Sequence, residues 1–154
     1  MIIEKAKFKD TNEIAKLALN LFQYHSNLDI YYENNNKSLS VAVKTYGEWI
    51  KSRNFQFYVA KDKDLIVGFI IGKIEKEEPI YFRKKKGIVI ALFIEKKYRR
   101  KGLANNLYDK LVYWFKDNNV NNIEIYVHAK NKGALKTWKK FGFLTDSYKM
   151  RKAI

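Results

Sequence analysis

Residues 87–104 read Gly-Ile-Val-Ile-Ala-Leu-Phe-Ile-Glu-Lys-Lys-Tyr-Arg-Arg-Lys-Gly-Leu-Ala. The apolar run from Gly87 to Ile94 lacks polar alternation, as expected of a strand in the middle of a sheet with both faces covered. From Leu103 the spacing changes: Leu107, Leu111, Trp114 and Phe115 keep helical period to about Asp117, and Asn118-Asn119 ends the helix. A strand that runs through a basic, glycine-containing loop into a helix is an anion trap. Free amides at the helix start point at the ligand, the helix dipole adds positive charge, and Gly102 removes a side chain that would block approach. Arg99, Arg100 and Lys101 add three cations beside those amides, a match for a nucleotide pyrophosphate.

Upstream, Ile2 to Phe8 reads as a strand, and Asp10 with Glu13 has the form of a capping box. The helix it starts carries an apolar stripe of Ile14, Leu17, Ala18, Leu21 and Phe22. His25 to Asn36 is polar, aromatic and irregular. A second helix is expected from about Ser40 to Ser52, with Val43, Tyr46, Trp49 and Ile50 facing inward. Phe55 to Lys61, the turn Asp62-Lys63-Asp64 and Leu65 to Ile74 form an antiparallel hairpin. The charge runs Glu75 to Pro79 and Arg83 to Lys86 read as solvated loop and strand ends.

Downstream, Ile123, Ile125 and Val127 alternate with Glu124, Tyr126 and His128 as a strand. It is expected to run parallel to the strand at Gly87, joined to it by a right-handed crossover. A short helix from Lys132 to Lys140, a turn at Gly142 and a last strand near Ser147 to Lys152 complete the pattern.

The size, 154 residues with 47% apolar side chains, suits one domain spanning residues 1–154. No cysteine is present, which excludes disulfides, thiolate metal ligands and covalent catalysis through a thiol, so any group transfer is expected to be direct. No metal site is expected. Met1 to Lys5 has no signal-peptide pattern and no run reaches transmembrane length, so a cytoplasmic protein without a membrane partner is expected. A net charge of +15 calls for an anionic partner. A basic nucleic-acid-binding module is the rival reading, but the lysines are spread along the chain and a phosphate-rich cofactor suits the charge equally.

Tyr98-Arg99-Arg100-Lys101-Gly102-Leu103-Ala104 resembles the signature of the GNAT superfamily of N-acetyltransferases, a basic residue or Gln followed by x-x-Gly-x-Gly/Ala at the central helix start. Arg99, Gly102 and Ala104 fill the defined positions. Asn131-x-x-Ala134, then Trp138 and Lys140-Phe141-Gly142-Phe143, is similar to the family's downstream pattern, and Val67-Gly68-Phe69 to its hairpin strand.

The resemblance implies an α/β GNAT (acyl-CoA N-acyltransferase) fold, a central mixed, mostly antiparallel sheet flanked by helices. The implied activity is transfer of the acetyl group of acetyl-CoA to an amine: a protein N-terminus, a lysine, a polyamine or a small amine. A chain that binds acyl-CoA without turnover is the alternative, and a homodimer stays open. By the same resemblance the backbone of Leu92, Phe93 and Ile94 pairs with the pantetheine arm of the cofactor. The pyrophosphate falls on the amides from Arg100 to Asn105, including Lys101, Gly102, Leu103 and Ala104, with Arg99 adjacent, and Asn131 lies near the arm. Asn131 also suits a helix N-cap. The family also has a sheet that splays to admit the cofactor.

The catalytic residues are not fixed by sequence. Where relatives place an acidic tyrosine this chain has Trp138, whose indole N–H is no acid near neutral pH. Where some carry a glutamate it has Ile88. The remaining candidate bases are Tyr126, His128 and Glu75, with His25, Asp29, Glu33 and Glu124 behind them. A cationic acceptor would be favoured if Asp29, Glu33, Glu75 and Glu77 gathered at its entrance.

Overall fold

The structure, a computed structural model, describes residues 1–35 and 37–154. Five strands form one sheet in the order of the chain: β1 (Ile2–Lys5), β2 (Phe55–Asp62), β3 (Leu65–Lys76), β4 (Lys85–Ile94) and β5 (Ile123–Ile125). The first four pair antiparallel and β5 pairs parallel to β4. The helices are α1 (Thr11–Leu28), α2 (Ser38–Trp49), α3 (Leu103–Asp117) and α4 (Lys132–Lys140). This is the mixed, mostly antiparallel α/β sheet expected.

Two apolar layers cover the sheet. On one face Ile14, Ala15 and Ala18 of α1 and Tyr46 of α2 pack with Phe57, Phe69, Ile71 and Ala91. Burial pushes the Tyr46 phenol up to about 12. On the other, Leu107, Leu111 and Phe115 of α3 pack with Val67, Ile70 and Val89. Gly87 has to be glycine, because a Cβ there would stand 2.7 Å from the Phe115 ring. Each large side chain so buried contributes about 1.5–3 kcal/mol.

Several expectations need correction. β1 ends at Lys5, and Phe8–Asp10 forms a 3-10 turn ahead of α1. Asp10 therefore has helical backbone and does not cap α1 through its side chain. Its carboxylate turns back to accept from the Lys7 N–H at 2.7 Å and from Lys61 Nζ at 3.2 Å. Lys61 also reaches Glu4 at 2.8 Å, and the Glu4 bond first, then that to Asp10, raises the Lys61 pKa.

α1 continues through His25 to Leu28, where Asp29 turns to extended backbone at φ −155°, and Ile30–Tyr32 forms another 3-10 turn. Asn36, the end of the segment expected to be irregular, lies outside the described residues. α2 lies two to three residues earlier than expected, at Ser38–Trp49. β5 stops at Ile125, so Tyr126 and His128 are not strand residues. No strand forms at Ser147 to Lys152. Apart from Arg151 those residues pack against little, Tyr148 and Met150 being almost fully exposed, and a three-residue β5 offers too short an edge to pair.

Candidate active site

β4 holds β5 only through Gly87↔Ile123, Ile88↔Glu124 and Val89↔Ile125. On its other edge it stays paired with β3 through Gly68↔Ile94, Phe69↔Phe93, Ile70↔Leu92 and Ile71↔Ala91. The change comes at a β-bulge: Ile71 faces Ala91 while Gly72 faces Val89, leaving Ile90 as the extra residue. Before the bulge Val89 points to α3; beyond it Ala91 and Phe93 point to the α1–α2 layer while Leu92 and Ile94 point to α3. From Ile90 to Ile94 the edge toward β5 is unpaired over about 16 Å.

The open edge presents its peptide groups in a defined order. The Glu95 N–H bonds to Val67 of β3, whereas the Ile94 carbonyl accepts from Arg99 Nε at 2.9 Å. Peptide groups alternate between the edges of a strand, so Leu92 shares the direction of Ile94 and aims its N–H and C=O into the gap. Phe93 points its own to β3. Of the three positions expected to meet a cofactor arm, Leu92 and Ile94 offer backbone and Phe93 offers only its neighbours.

At the end of this edge, Lys96–Tyr98 makes a 3-10 turn and the chain reverses into α3. Arg100 (φ 62°) and Gly102 (φ 75°) are both left-handed, a conformation that costs a non-glycine residue such as Arg100 on the order of 1–2 kcal/mol. Alternating hand in successive residues curls N–H groups round a concavity, the geometry of an anion nest. The first helical bond is from the Asn106 N–H to the Gly102 carbonyl at 3.1 Å. The amides of Leu103, Ala104 and Asn105 therefore have no intrahelical partner, and among the described residues no side chain caps the helix start. A Cβ added at Gly102 would meet nothing within 4 Å, so the cradle is open.

Arg99, Arg100 and Lys101 are exposed around that cradle, but Arg99 is partly committed to Ile94, with its guanidinium 5.9 Å from the Phe93 ring. Leu103, the first residue of α3, turns its side chain into the core and contributes only its amide, while Ala104 and Asn105 reach the surface. Tyr98 donates to Asp62 at 3.0 Å, which raises its pKa and ties the turn to the β2–β3 hairpin.

Asn131 caps α4: its Oδ1 accepts from the Ala134 N–H at 3.0 Å and from the Tyr24 hydroxyl at 3.4 Å. It stands on the segment leaving β5, across the gap from β4, and its amide nitrogen makes no protein hydrogen bond among the described residues. Trp138 is packed among Tyr108, Phe141 and Phe143, so it is core.

The candidate bases fare unequally. Glu75 lies opposite Lys86 at the far end of β4, about 25 Å along the strand from Ile94. The hydrogen bond from Lys73 at 2.9 Å holds its pKa down. Glu124 pairs with Lys86 at 3.2 Å, so neither it, Glu75 nor Glu77 gathers with Asp29. Tyr126 is exposed beside the end of β5. His128 has both ring nitrogens engaged: Nδ1 accepts from the Lys130 N–H at 3.1 Å, and Nε2 lies 3.3 Å from Asp29 Oδ2. Its neutral form thus carries the proton on Nε2 and has no free lone pair. His25, between Tyr24 and Tyr32, has no side-chain hydrogen bond among the described residues; burial, then the charge of His128, lowers its pKa. Among the described residues no His, Asp and Glu side chains converge on a metal position. No described helix is long and apolar enough to cross a membrane.

The profile of the acetyltransferase (GNAT) family matches residues 21–143, taking in the open edge, the nest and the Asn131 cap. The chain belongs to the GNAT acetyltransferase family. This GNAT chain is 26% identical over 105 residues to N-alpha-acetyltransferase 30 of Xenopus laevis, an alignment covering 68% of the chain and 37% of that protein. It is 31% identical over 103 residues to an N-alpha-acetyltransferase of Saccharolobus solfataricus, covering 62% and 60%. The GNAT chain thus spans little more than a third of the first of these relatives. The crystal structure of a "predicted acetyltransferase with acetyl-CoA" from Clostridium acetobutylicum superposes with a TM-score of 0.77 over 99% of this chain and 95% of that one. At 18% identity that likeness shows the fold alone.

Sequence reasoning missed two features of the site. The bulge at Ile90 lies in an apolar run whose residues all look alike, so no alternation betrays it. The left-handed Arg100 had no signal, since nothing but its neighbour Gly102 suggests a reversed turn.

Proposed function

We propose that this chain, acting as a single domain over residues 1–154, transfers the acetyl group of acetyl-CoA directly to an amine. The observation that carries the reading is the continuity of the unpaired β4 edge with the Arg100–Asn105 nest. A strand edge able to pair with an amide-bearing arm leads straight to an anion cradle. The cofactor supplies an activated acetyl thioester and, through its diphosphate, the anion.

The residues present fit that group. The amides of Leu103, Ala104 and Asn105, with Arg100 and Lys101, hold the diphosphate, and the Leu92 and Ile94 peptides orient the arm. The β4 N–H groups that face the gap, those of Leu92 and Ile94, would be the donors for negative charge developing on the thioester oxygen. With Ile88 on β4 and Trp138 in the core, neither of these positions supplies an acid or base, and the proton of the amine leaves through water. Rate then follows the neutral fraction of the acceptor: an amine with pKa about 10.4 gains roughly tenfold in kcat/KM per pH unit below that value.

The similarity to N-alpha-acetyltransferases favours a peptide α-amine. An α-amine near pKa 7.7 is about one-third neutral at pH 7.4, against about a thousandth for an amine of pKa about 10.4, so it depends far less on a base. Thiol release from acetyl-CoA across a panel of peptides and small amines, between pH 6 and 9, tests the proposal. Release that follows acceptor pKa supports it. Saturable acetyl-CoA binding without release for any amine identifies a binding domain, and salt-dependent RNA binding indifferent to acetyl-CoA favours the nucleic-acid reading.

A further inference from the structure

The segment leaving β5 meets the end of α1 in a second constellation that the transfer reaction does not use. Asp29 accepts at Oδ1 from the Tyr31 N–H at 3.1 Å, and at Oδ2 it accepts from Arg151 Nη2 at 2.7 Å beside His128 Nε2. The Arg151 bond, then that from Tyr31, holds its pKa far below the usual carboxylate range, so Asp29 stays ionised. The Arg151 guanidinium stacks 4.0 Å from the Tyr31 ring centroid. Tyr32 stands edge-on to Tyr31 at 5.2 Å and to His128 at 6.0 Å. One ionised carboxylate at the floor and an aromatic face at the side make a site for a planar or compact cation.

Its present occupant is weakly attached. Residues 144–154 form no helix or strand and make no backbone–backbone hydrogen bond among the described residues. Arg151 is their one side chain with an ion pair or hydrogen bond among the described residues. Its side chain is 48% exposed, whereas that of Asp29 beneath it is 17% exposed. The floor of the site is better protected than the group resting on it. The site also adjoins the gap beside β4: His128 and Asn131 stand on the same short segment, and Asn131 meets Tyr24, one helical turn and a residue before Asp29.

We propose that Asp29 and Tyr31 form a cation subsite for the acceptor, and that Arg151 is an internal occupant which the acceptor displaces. This rests on the reading that the gap takes an amine. The bound group is an ammonium or guanidinium carried by the acceptor in addition to the reacting amine, because the reacting amine has to be neutral while the group at Asp29 remains charged. An exposed ion pair and one cation–π contact compete only modestly, so Arg151 weakens the acceptor by roughly threefold to thirtyfold.

Agmatine, a primary amine with a guanidinium at its other end, and butylamine, which lacks the guanidinium, test this. Arg151→Ala is expected to lower the KM for agmatine by roughly threefold to thirtyfold with kcat held, and to move butylamine by less than twofold. Asp29→Asn, which keeps an N-cap residue ahead of Ile30–Tyr32, is expected to abolish that gain in the Arg151→Ala background. Calorimetric titration of agmatine into Arg151→Ala and into the double variant reads the same site without turnover. An agmatine KM that rises or stays fixed in Arg151→Ala overturns the proposal, as does equal agmatine binding by the single and double variants. Tighter agmatine binding by Arg151→Ala without thiol release from any amine keeps the cation site and refutes the transfer reading. Thiol release that ignores both substitutions does the reverse.

Discussion

Replacing Gly102 by glutamate separates the backbone role of that residue from its place beside a ligand, because Gly142 provides a matched control. Both glycines are left-handed, at φ 75° and 88°, and an added Cβ meets nothing within 4 Å at either. A side chain at either position thus costs only the left-handed strain of about 1–2 kcal/mol, which lowers Tm by about 2–8 °C in a domain of this size. Both variants also change net charge equally. They differ in position: a carboxylate at 102 stands at the Leu103–Asn105 amides, where the diphosphate is expected, and one at 142 stands past the end of α4. Two like-charge pairs at about 4 Å in a water-like medium cost about 1 kcal/mol each, so acetyl-CoA binding should weaken roughly thirtyfold for Gly102→Glu. It should stay within about twofold for Gly142→Glu. Calorimetric titration with acetyl-CoA, with thermal unfolding of both variants, gives the comparison. Equal loss of affinity in the two, or none at 102, refutes the assignment of the nest.

Two further outcomes test the packing and electrostatics around the site. Gly87→Ala forces a methyl against Phe115 and should cost about 1–3 kcal/mol by urea denaturation, while Gly133→Ala, where only Asn131 Oδ1 lies near at 3.9 Å, should not destabilise. His25 has a folded pKa below its ordinary value, so the unfolded chain takes up its proton first. Its contribution to stability is complete above about pH 6.5 and is lost as pH falls toward the lowered value. Urea midpoints should therefore decline from pH 7.5 to 5.5 in the wild type and decline less in His25→Gln; an equal or steeper decline in the variant would count against a half-buried, neutral His25.

The parts of the fold written in periodicity were legible from the chain alone. The β2–β3 hairpin, the apolar β4, α3 and α4 lie where alternation and helical spacing put them, because their apolar faces meet the sheet or one another. What failed depended on partners that lie elsewhere in the sequence. Asp10 looked like a cap, but Lys61, fifty-one residues away, and the 3-10 turn at Phe8 drew its carboxylate back. Ser147 to Lys152 alternates like a strand, yet β5 is too short to receive it. At the site, local rules for helix termini were enough to place Gly102 and the free Leu103–Asn105 amides at the start of α3. The open edge of β4 was not legible, since it depends on where β5 stops. His128 looked available as a base until Lys130 and Asp29 took up both its nitrogens.

The most direct test of the central claim is a titration of the 15N-labelled chain with acetyl-CoA, following backbone amide shifts. The expected result is saturable perturbation of Leu92, Ile94 and the run from Arg100 to Asn105, with the amides at the Glu75–Lys86 end of the sheet unmoved. Saturation without movement at Leu92 and Arg100–Asn105, or no saturable change at all, would contradict it.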